Sequence, residues 1–324
     1  MKLKSLGEAG RIPHRPARPR GRRRLRTIAM LPTLLTLGSV YFGFAAIYCC
    51  GREMEDLGAG IRATEVRTLN NQFMEARAPS YLSIAAWMVL AAMICDALDG
   101  RIARRTGRTS RFGEQLDSLA DIVSFGAAPA LMMVTMSRRE LTQWGSLGSY
   151  QLGQVAVLVG VIYLCCAALR LARFTVEATA EEAKHEGFRG LPAPGAAGGV
   201  VSIIFLHDHL VVDRVWPRTA DVLAWALPVC TILIALLMVS RIPFTHVVSS
   251  FLRRRPFGHV IALLLPVPFI VLYPEQVAVG LAWSFIASGP VRLAWRKMKG
   301  RPPRPELGVE QGDELDSSAV RKEA

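Results

Sequence analysis

Eight long apolar segments, separated by short polar or basic stretches, dominate the chain. Most of them approach the length of about 20 residues that an α-helix needs to cross a lipid bilayer. Because lipid offers the backbone no hydrogen-bond partners, such segments are expected to be helical. We therefore predict an all-α, polytopic integral membrane bundle of about eight transmembrane helices, at residues 28–49, 81–98, 116–136, 152–172, 195–212, 222–239, 260–273 and 277–291.

The seventh apolar segment, 260–273, is the weakest of the eight. It is short, contains Pro266 and Pro268, and is separated from the last segment only by residues 274–276. Proline removes a backbone donor and disturbs a helix interior. The segment either spans the bilayer or gives a seven-span or re-entrant arrangement.

The distribution of positive charge predicts the orientation. The chain has 39 Lys and Arg residues against 26 Asp and Glu residues, and a formal net charge of +13. With the amino terminus inside, most of the Lys and Arg residues fall on the inner side, as the positive-inside rule requires. We expect a protein of the cell inner membrane with both termini and the basic turn 101–111 at the cytoplasmic face.

The two ends of the chain differ from the part between them. Residues 1–26 form a basic cytoplasmic tail, which either attracts anionic membrane lipid or serves only as a topology anchor. Residues 27–298 form the membrane-embedded domain, and residues 299–324, Pro-rich and then acidic, form a disordered cytoplasmic tail. A basic chain could bind nucleic acid, but no motif for it is present and aromatic residues make up only 8%. We expect no nucleic-acid partner.

Four acidic residues lie at the inner ends of the second and third segments. An acid at the middle of a spanning helix costs about 2.5 to 3.5 kcal/mol, so a group of acids within or beside such segments calls for a reason. Asp96 and Asp99 are three residues apart, and Asp117 and Asp121 are four apart, so each pair shares one helical face. A helical hairpin through 101–111 can bring the two faces together. The acids would repel one another unless cations lie among them.

An all-oxygen acidic site suits hard divalent ions such as Mg²⁺ or Mn²⁺. Gly100, Ala103 and Gly113 keep the same surfaces free of large side chains, so a flat ligand can approach the backbone. Arg104 adds a planar donor suited to phosphate. The alternative is that the acids are interfacial residues paired with the five Arg residues of the turn.

These residues, at this spacing, resemble the signature of the CDP-alcohol phosphotransferases, membrane enzymes that transfer a phosphatidyl or similar group from a CDP-linked donor to an alcohol. The matching positions are Asp96, Asp99, Gly100, Ala103, Arg104, Gly113, Asp117 and Asp121. The resemblance implies that the four Asp residues hold two divalent cations, Mg²⁺ or Mn²⁺, over the pyrophosphate of the donor. It also implies that Asp121 is the general base and that the remaining four residues contact the CDP moiety.

Residues 117–130, 169–174, 188–194 and 238–244 resemble the phosphatidylserine synthase branch of that family. This resemblance implies CDP-diacylglycerol as donor and L-serine as acceptor, with phosphatidylserine and CMP as products. The same transfer to glycerol 3-phosphate or an inositol phosphate is the alternative. A divalent-cation transporter is a remote alternative. A carrier is expected to place acids near mid-span on several helices, whereas here the acids gather at one inner hairpin.

Arg170 and Arg173 are the candidate residues for binding the acceptor. Arg170 is the one cation within an apolar segment, and Arg173 follows three residues later on the same helical face. A guanidinium there suits the carboxylate of serine, and two would also suit a phosphate. Alternatively, both residues neutralise the acids or extend to lipid phosphate.

Two further patterns carry less weight. Gly195, Gly198 and Gly199 form a small-residue patch that lets membrane helices approach closely, either within one chain or between two chains of a homodimer. His207 and His209 lie at the outer end of the fifth segment, and their spacing does not place both rings on one helical face. We do not expect a metal site there.

Overall fold

A computed structural model describes residues 22–58, 80–106, 111–141, 146–181, 190–213, 217–240, 242 and 272–299. Nearly all of these residues are helical, and no strand occurs among them. The α-helices, in chain order, are α1 (Arg22–Gly58), α2 (Tyr81–Thr106), α3 (Arg111–Asp121), α4 (Ala128–Leu141), α5 (Ser146–Glu181), α6 (Ala193–Asp213), α7 (Pro217–Val239) and α8 (Pro274–Met298).

The described helices confirm the predicted all-α polytopic membrane fold. Seven stretches are long and apolar enough to cross a bilayer, at Pro32–Gly58, Tyr81–Ile102, Phe112–Glu140, Gln151–Arg173, Ala193–Val211, Thr219–Val239 and Gln276–Trp295. They correspond to the first six predicted segments and to the eighth. The seventh predicted segment lies outside the described residues, except for Leu272 and Tyr273. Residues 1–21 of the predicted basic tail and residues 300–324 also lie outside them, whereas α1 already begins at Arg22, within that tail.

The third span is built from three pieces rather than from one uniform helix. Between α3 and α4, residues Ile122–Ala127 form a π-helical turn, whose Ser124, Phe125 and Gly126 are buried. Such a turn inserts one residue into the helical repeat, and it is frequent at functional sites. The turn begins directly after Asp121, so the face that carries this acid is rotated relative to the face of α4.

The third and fifth spans are the most buried and form the centre of the bundle, whereas α8 lies at its periphery. α1 and α2 pack along each other on one side of this centre. A buried apolar core of residues such as Phe125, Met132 and Tyr163 joins the spans. Tyr163 of α5 donates its hydroxyl proton to the carbonyl oxygen of Phe125 at 3.0 Å, which pairs a backbone acceptor within the π-helical turn.

The small-residue patch at the start of α6 packs within the chain. A Cβ atom built on Gly195 would lie 2.7 Å from the ring of Phe285, and one on Gly199 would lie 2.5 Å from Cδ1 of Ile286. Both of these partners belong to α8. The glycines therefore allow α6 to approach α8 closely, and the homodimer stays a prediction without this support.

Two segments that resemble the phosphatidylserine synthase branch contact each other. The backbone N–H of Gly190 donates to the carbonyl of Ile242 at 2.9 Å, and that of Leu191 donates to Leu237 at 3.2 Å. Gly190 has a φ of +89°, and a Cβ atom there would lie 2.6 Å from the carbonyl oxygen of Met238. Glycine is required here both by the backbone conformation and by the close approach.

A buried ionic network joins helices at one end of the bundle. Arg139 of α4 is 8% exposed, and it pairs with Glu53 of α1 at 3.2 Å, with Glu140 at 3.1 Å and with Asp208 of α6 at 3.5 Å. Its guanidinium also lies 3.4 Å from Nδ1 of His207. The network thus holds α1, α4 and α6 together through one arginine.

The same network reaches the beginning of α2. Asp208 accepts hydrogen bonds from the hydroxyl groups of Ser80 and Ser83. Ser83 precedes Asp96 by 13 positions on this helix, so at 1.5 Å per residue the network lies about 20 Å from the signature acids. This agrees with the prediction that His207 lies at the end of the fifth segment opposite those acids.

Candidate functional site

Three of the four signature acids converge. Asp96 lies in the second half of α2, and Asp117 and Asp121 lie one turn apart on α3. One carboxylate oxygen from each of the three lies within 4.8 Å of the others, and all three side chains are partly buried. The hairpin between α2 and α3 therefore brings the two acidic faces together as the spacing predicts.

Asp99 lies beside this group and has a different partner. Its side chain is 7% exposed, and its carboxylate accepts a hydrogen bond from the hydroxyl of Thr36 on α1. It remains close enough to interact electrostatically with Asp117 and Asp121. The site thus has three clustered carboxylates and a fourth that contacts a neighbouring helix.

The guanidinium of Arg170 interacts electrostatically with the Asp121 carboxylate. Its Nε atom is buried and has no hydrogen-bond partner among the described residues. A buried donor without a partner costs about 1 to 3 kcal/mol, which a bound acceptor group would recover. Arg173, one turn further along α5, is partly exposed. Arg170 therefore interacts with the candidate base and keeps a buried donor without a partner in the described part of the chain.

The four small or basic signature residues lie on the same two helices. Gly100, Ala103 and Arg104 belong to the carboxyl-terminal part of α2, and Gly113 belongs to the first turn of α3. Gly100 and Gly113 are partly buried. The side chains of Ala103 and Arg104 lie outside the part of the chain that the structure describes, so the expected contact of Arg104 with phosphate stays a prediction.

The three carboxylates fit a divalent metal ion. Carboxylate oxygens are the ligands that hard ions such as Mg²⁺ and Mn²⁺ prefer, and their mutual distances permit binding to a common centre. Without a cation, three acids this close would repel one another strongly. The residues of the site could therefore hold a metal ion.

The polar residues that contact Asp99 and the π-helical turn were not predicted from the sequence. Thr36 of α1 contacts Asp99, and Ser124 of the π-helical turn donates a hydrogen bond to the carbonyl of Ser39 at 2.8 Å. Tyr163 pairs with the same turn from the other side. Thr36 and Ser39 are polar residues three positions apart within a lipid-length segment, a spacing that could have indicated an inward face of α1.

The central part of the chain matches a known protein family. The sequence profile of the CDP-alcohol phosphatidyltransferase family matches residues 29–237, which is more than half of the chain. The match includes all eight signature positions and both Arg170 and Arg173. The three clustered acids lie within it.

Individual relatives point to the same family. The chain is 37% identical over 125 residues to CDP-diacylglycerol–serine O-phosphatidyltransferase of Helicobacter pylori (strain J99), covering 39% of this chain and 47% of that protein. The enzyme of the same name from Mycobacterium leprae is 37% identical over 167 residues, with 50% of each chain covered. The one from Saccharomyces cerevisiae is 33% identical over 143 residues, which is 42% of this chain and 47% of that protein.

The chain spans about half the length of the curated relatives it matches. The family profile, in contrast, extends from the first span to the end of the sixth. From this match, and from the convergence of Asp96, Asp117 and Asp121, we conclude that the chain belongs to the CDP-alcohol phosphatidyltransferase family.

Proposed function

We propose that the protein transfers a phosphatidyl group from CDP-diacylglycerol to L-serine, which gives phosphatidylserine and CMP. The observation that carries the proposal is the group of three carboxylates beside Arg170, whose buried Nε atom lacks a partner among the described residues. The names of the relatives support the same donor and acceptor.

In the proposed reaction, the serine hydroxyl oxygen forms a bond to the phosphorus that carries the diacylglycerol. The bond from this phosphorus to the bridging oxygen of the pyrophosphate breaks, and CMP leaves with the electron pair. Asp121 accepts the proton of the serine hydroxyl as general base, since it belongs to the acid cluster and lies beside Arg170. Atoms and charges balance without a further reactant.

We infer that two divalent cations, Mg²⁺ or Mn²⁺, are held by Asp96, Asp99, Asp117 and Asp121. When bound, such ions offset the negative charge of the pyrophosphate and of the departing CMP. The three clustered carboxylates support this assignment directly. Asp99 lies adjacent, and its second carboxylate oxygen is the one that remains for a metal once Thr36 is bound to the first.

The donor is proposed to bind along the hairpin between α2 and α3. Gly100, Ala103 and Gly113 would let the CDP moiety approach the backbone, and Arg104 would donate to its phosphate groups. These residues follow or precede the acids on the same helices, at the end of the bundle opposite the Arg139 network. We place this end at the cytoplasmic face of the inner membrane, with anionic lipid around it.

Arg170 and Arg173 are proposed to bind the serine carboxylate. Arg170 offers a buried donor near Asp121, so an acceptor bound there would present its hydroxyl to the base. A guanidinium pair would also bind the phosphate of glycerol 3-phosphate or of an inositol phosphate. That acceptor class is the second candidate for the same site.

The test is an assay of CMP release by the purified protein. It contains CDP-diacylglycerol, Mg²⁺ or Mn²⁺, and one of L-serine, glycerol 3-phosphate, inositol phosphate or no acceptor. We expect CMP and phosphatidylserine with serine alone. CMP release with a phosphate-bearing acceptor but not with serine would favour the second candidate, and no release with any acceptor would contradict the transferase.

A further inference from the structure

Three residues on one face of α1 contact α2 and the π-helical turn that follows α3, next to the signature acids. Thr36, Ser39 and Gly43 are spaced by three and four positions, so they form one stripe along the helix. All three are buried. We call this stripe the α1 polar face. Its partners are Asp99 on α2 and Ser124 in the π-helical turn after α3.

The contact between Thr36 and Asp99 goes beyond what a membrane helix requires. A buried threonine hydroxyl is ordinarily satisfied by the carbonyl four residues earlier, as Thr231 is by Leu227 at 2.8 Å. Thr36 also lies 3.0 Å from the carbonyl of Pro32, but its hydroxyl reaches the carboxylate of Asp99 as well. The second contact fixes the orientation of a signature acid.

Further along the same face of α1, Ser39 and Gly43 contact the π-helical turn. The Ser124 hydroxyl donates to the carbonyl of Ser39 at 2.8 Å and lies 3.3 Å from the Ser39 hydroxyl. A Cβ atom at Gly43 would lie 2.7 Å from Cα of Ser124, so only glycine permits this approach without displacement of the backbone. Ser124 follows Asp121 by three residues, so this contact sets the position of the helix end that carries the base.

We propose that the α1 polar face is a positioning surface, which holds Asp99 through Thr36 and Asp121 through Ser124 in the relative placement that metal binding and proton transfer need. The inference rests on the proposed function for its catalytic part. Its metal-binding part can be tested without any substrate. Thr36, Ser39 and Gly43 touch neither reactant in this scheme, and they act through the acids.

The first experiment removes the Thr36 hydroxyl and measures Mn²⁺ binding to the purified full chain without substrate, by the loss of the free-ion signal in electron paramagnetic resonance. From the strength of a hydrogen bond to a charged group, we expect Thr36→Val to bind Mn²⁺ about tenfold to hundredfold more weakly than the wild type does. Thr36→Ser should restore the affinity. Thr231→Val is the matched control, since Thr231 is equally buried but pairs only with its own helix in the described part of the chain.

Equal Mn²⁺ affinity of wild type and Thr36→Val would overturn the role of Thr36, as would failure of Thr36→Ser to restore it. If the Val variant does not elute as a folded protein, Thr36→Ala provides the same removal with a smaller side chain. A general packing defect would lower stability in Thr231→Val as well, and it would leave Mn²⁺ affinity unchanged in both variants.

The second experiment separates the two serines. Ser124→Ala removes the donor, so we expect kcat for CMP release to fall about threefold to tenfold while the KM values of both substrates stay constant. Ser39→Ala keeps the accepting carbonyl and loses only the 3.3 Å contact of its hydroxyl, so its kcat should fall less than that of Ser124→Ala. Ser202→Ala is the control, because the Ser202 hydroxyl pairs with its own helix at Gly199. Equal kcat values for Ser124→Ala and Ser39→Ala would overturn the contact's role.

The two proposals fail in different ways. A wild-type protein that binds Mn²⁺, responds to Thr36→Val and releases no CMP would contradict the proposed function and leave the positioning role of Thr36 intact. Suppose that the wild-type protein releases CMP, that Thr36→Val leaves the Mn²⁺ affinity unchanged and that Ser124→Ala leaves kcat unchanged. This result would contradict the positioning surface and leave the proposed function intact.

Discussion

The guanidinium of Arg170 interacts with the carboxylate of Asp121, while its buried Nε atom has no hydrogen-bond partner in the described part of the chain. A cation placed only to neutralise the acids would be expected to direct its donors at them. A buried donor left over beside the proposed base instead suits an anionic group of the acceptor.

Replacing Arg170 with Gln should raise the KM for serine about tenfold to a hundredfold, because a charge-assisted contact contributes about 1.5 to 3 kcal/mol. The KM for CDP-diacylglycerol should remain nearly unchanged. Arg170→Lys should restore binding only in part, since an ammonium group cannot reproduce the planar fork of a guanidinium. Steady-state kinetics with each substrate varied in turn measures both constants.

Arg173→Gln tests the second candidate cation in the same assay, and Arg138→Gln is a surface control because Arg138 is exposed at the far end of α4. If Arg170 and Arg173 only balance the acids, their loss should affect both substrates alike and weaken the metal dependence. A serine KM that stays constant in both single variants would therefore reject the acceptor role.

Asp121→Asn should abolish most of the turnover, because the amide keeps the shape of the carboxylate and cannot accept the serine proton. General-base contributions are typically about 10²-fold to 10⁴-fold, and weaker metal binding adds to the loss. CMP release is the measurement, and donor binding should be largely retained. Asp221→Asn, at an exposed position on α7, is the control. CMP release from Asp121→Asn at the wild-type rate would show that another group removes the proton.

The acid cluster could be predicted from the sequence because its geometry depends on short spacings. Residues three or four apart on a helix share a face, and a short turn forces two consecutive helices to pack. These two rules are enough to predict that Asp96, Asp117 and Asp121 lie close together. The spans could be predicted for a similar reason, since the thickness of the bilayer sets their length.

The π-helical turn after Asp121 could not be predicted in this way. Residues 122–136 are apolar almost throughout, so the hydrophobic pattern has no period that would reveal an inserted residue. The contact between Thr36 and Asp99 joins positions 63 apart in the chain, and no rule of local spacing relates them. Its position depends on how α1 packs against α2, which the sequence alone does not specify.

The orientation in the membrane predicts that Thr106, at the end of α2, faces the cytoplasm. In a variant without the six native cysteines, Thr106→Cys should resist an impermeant thiol reagent in intact cells and react after permeabilisation. Gln151→Cys, at the opposite end of the bundle and exposed, should react in intact cells. Labelling of Thr106→Cys in intact cells would reverse the orientation inferred from the charge distribution.

The Arg139 network predicts a loss of stability without a direct effect on the chemistry. Arg139→Gln leaves the buried carboxylates of Glu53 and Asp208 without this counter-charge, and breaking a buried ion pair costs about 3 to 5 kcal/mol. In detergent, this corresponds to a fall in apparent Tm on the order of 10 °C. Because the network lies at the other end of α2 from Asp96, the serine and donor KM values of the folded fraction should match those of wild type.

Arg138→Gln, which alters the exposed neighbour, should leave both the Tm and the kinetics unchanged. An Arg139→Gln protein with the wild-type Tm would show that the network does not hold the helices together, and a selective change in serine KM would mean that this end of the bundle communicates with the acids.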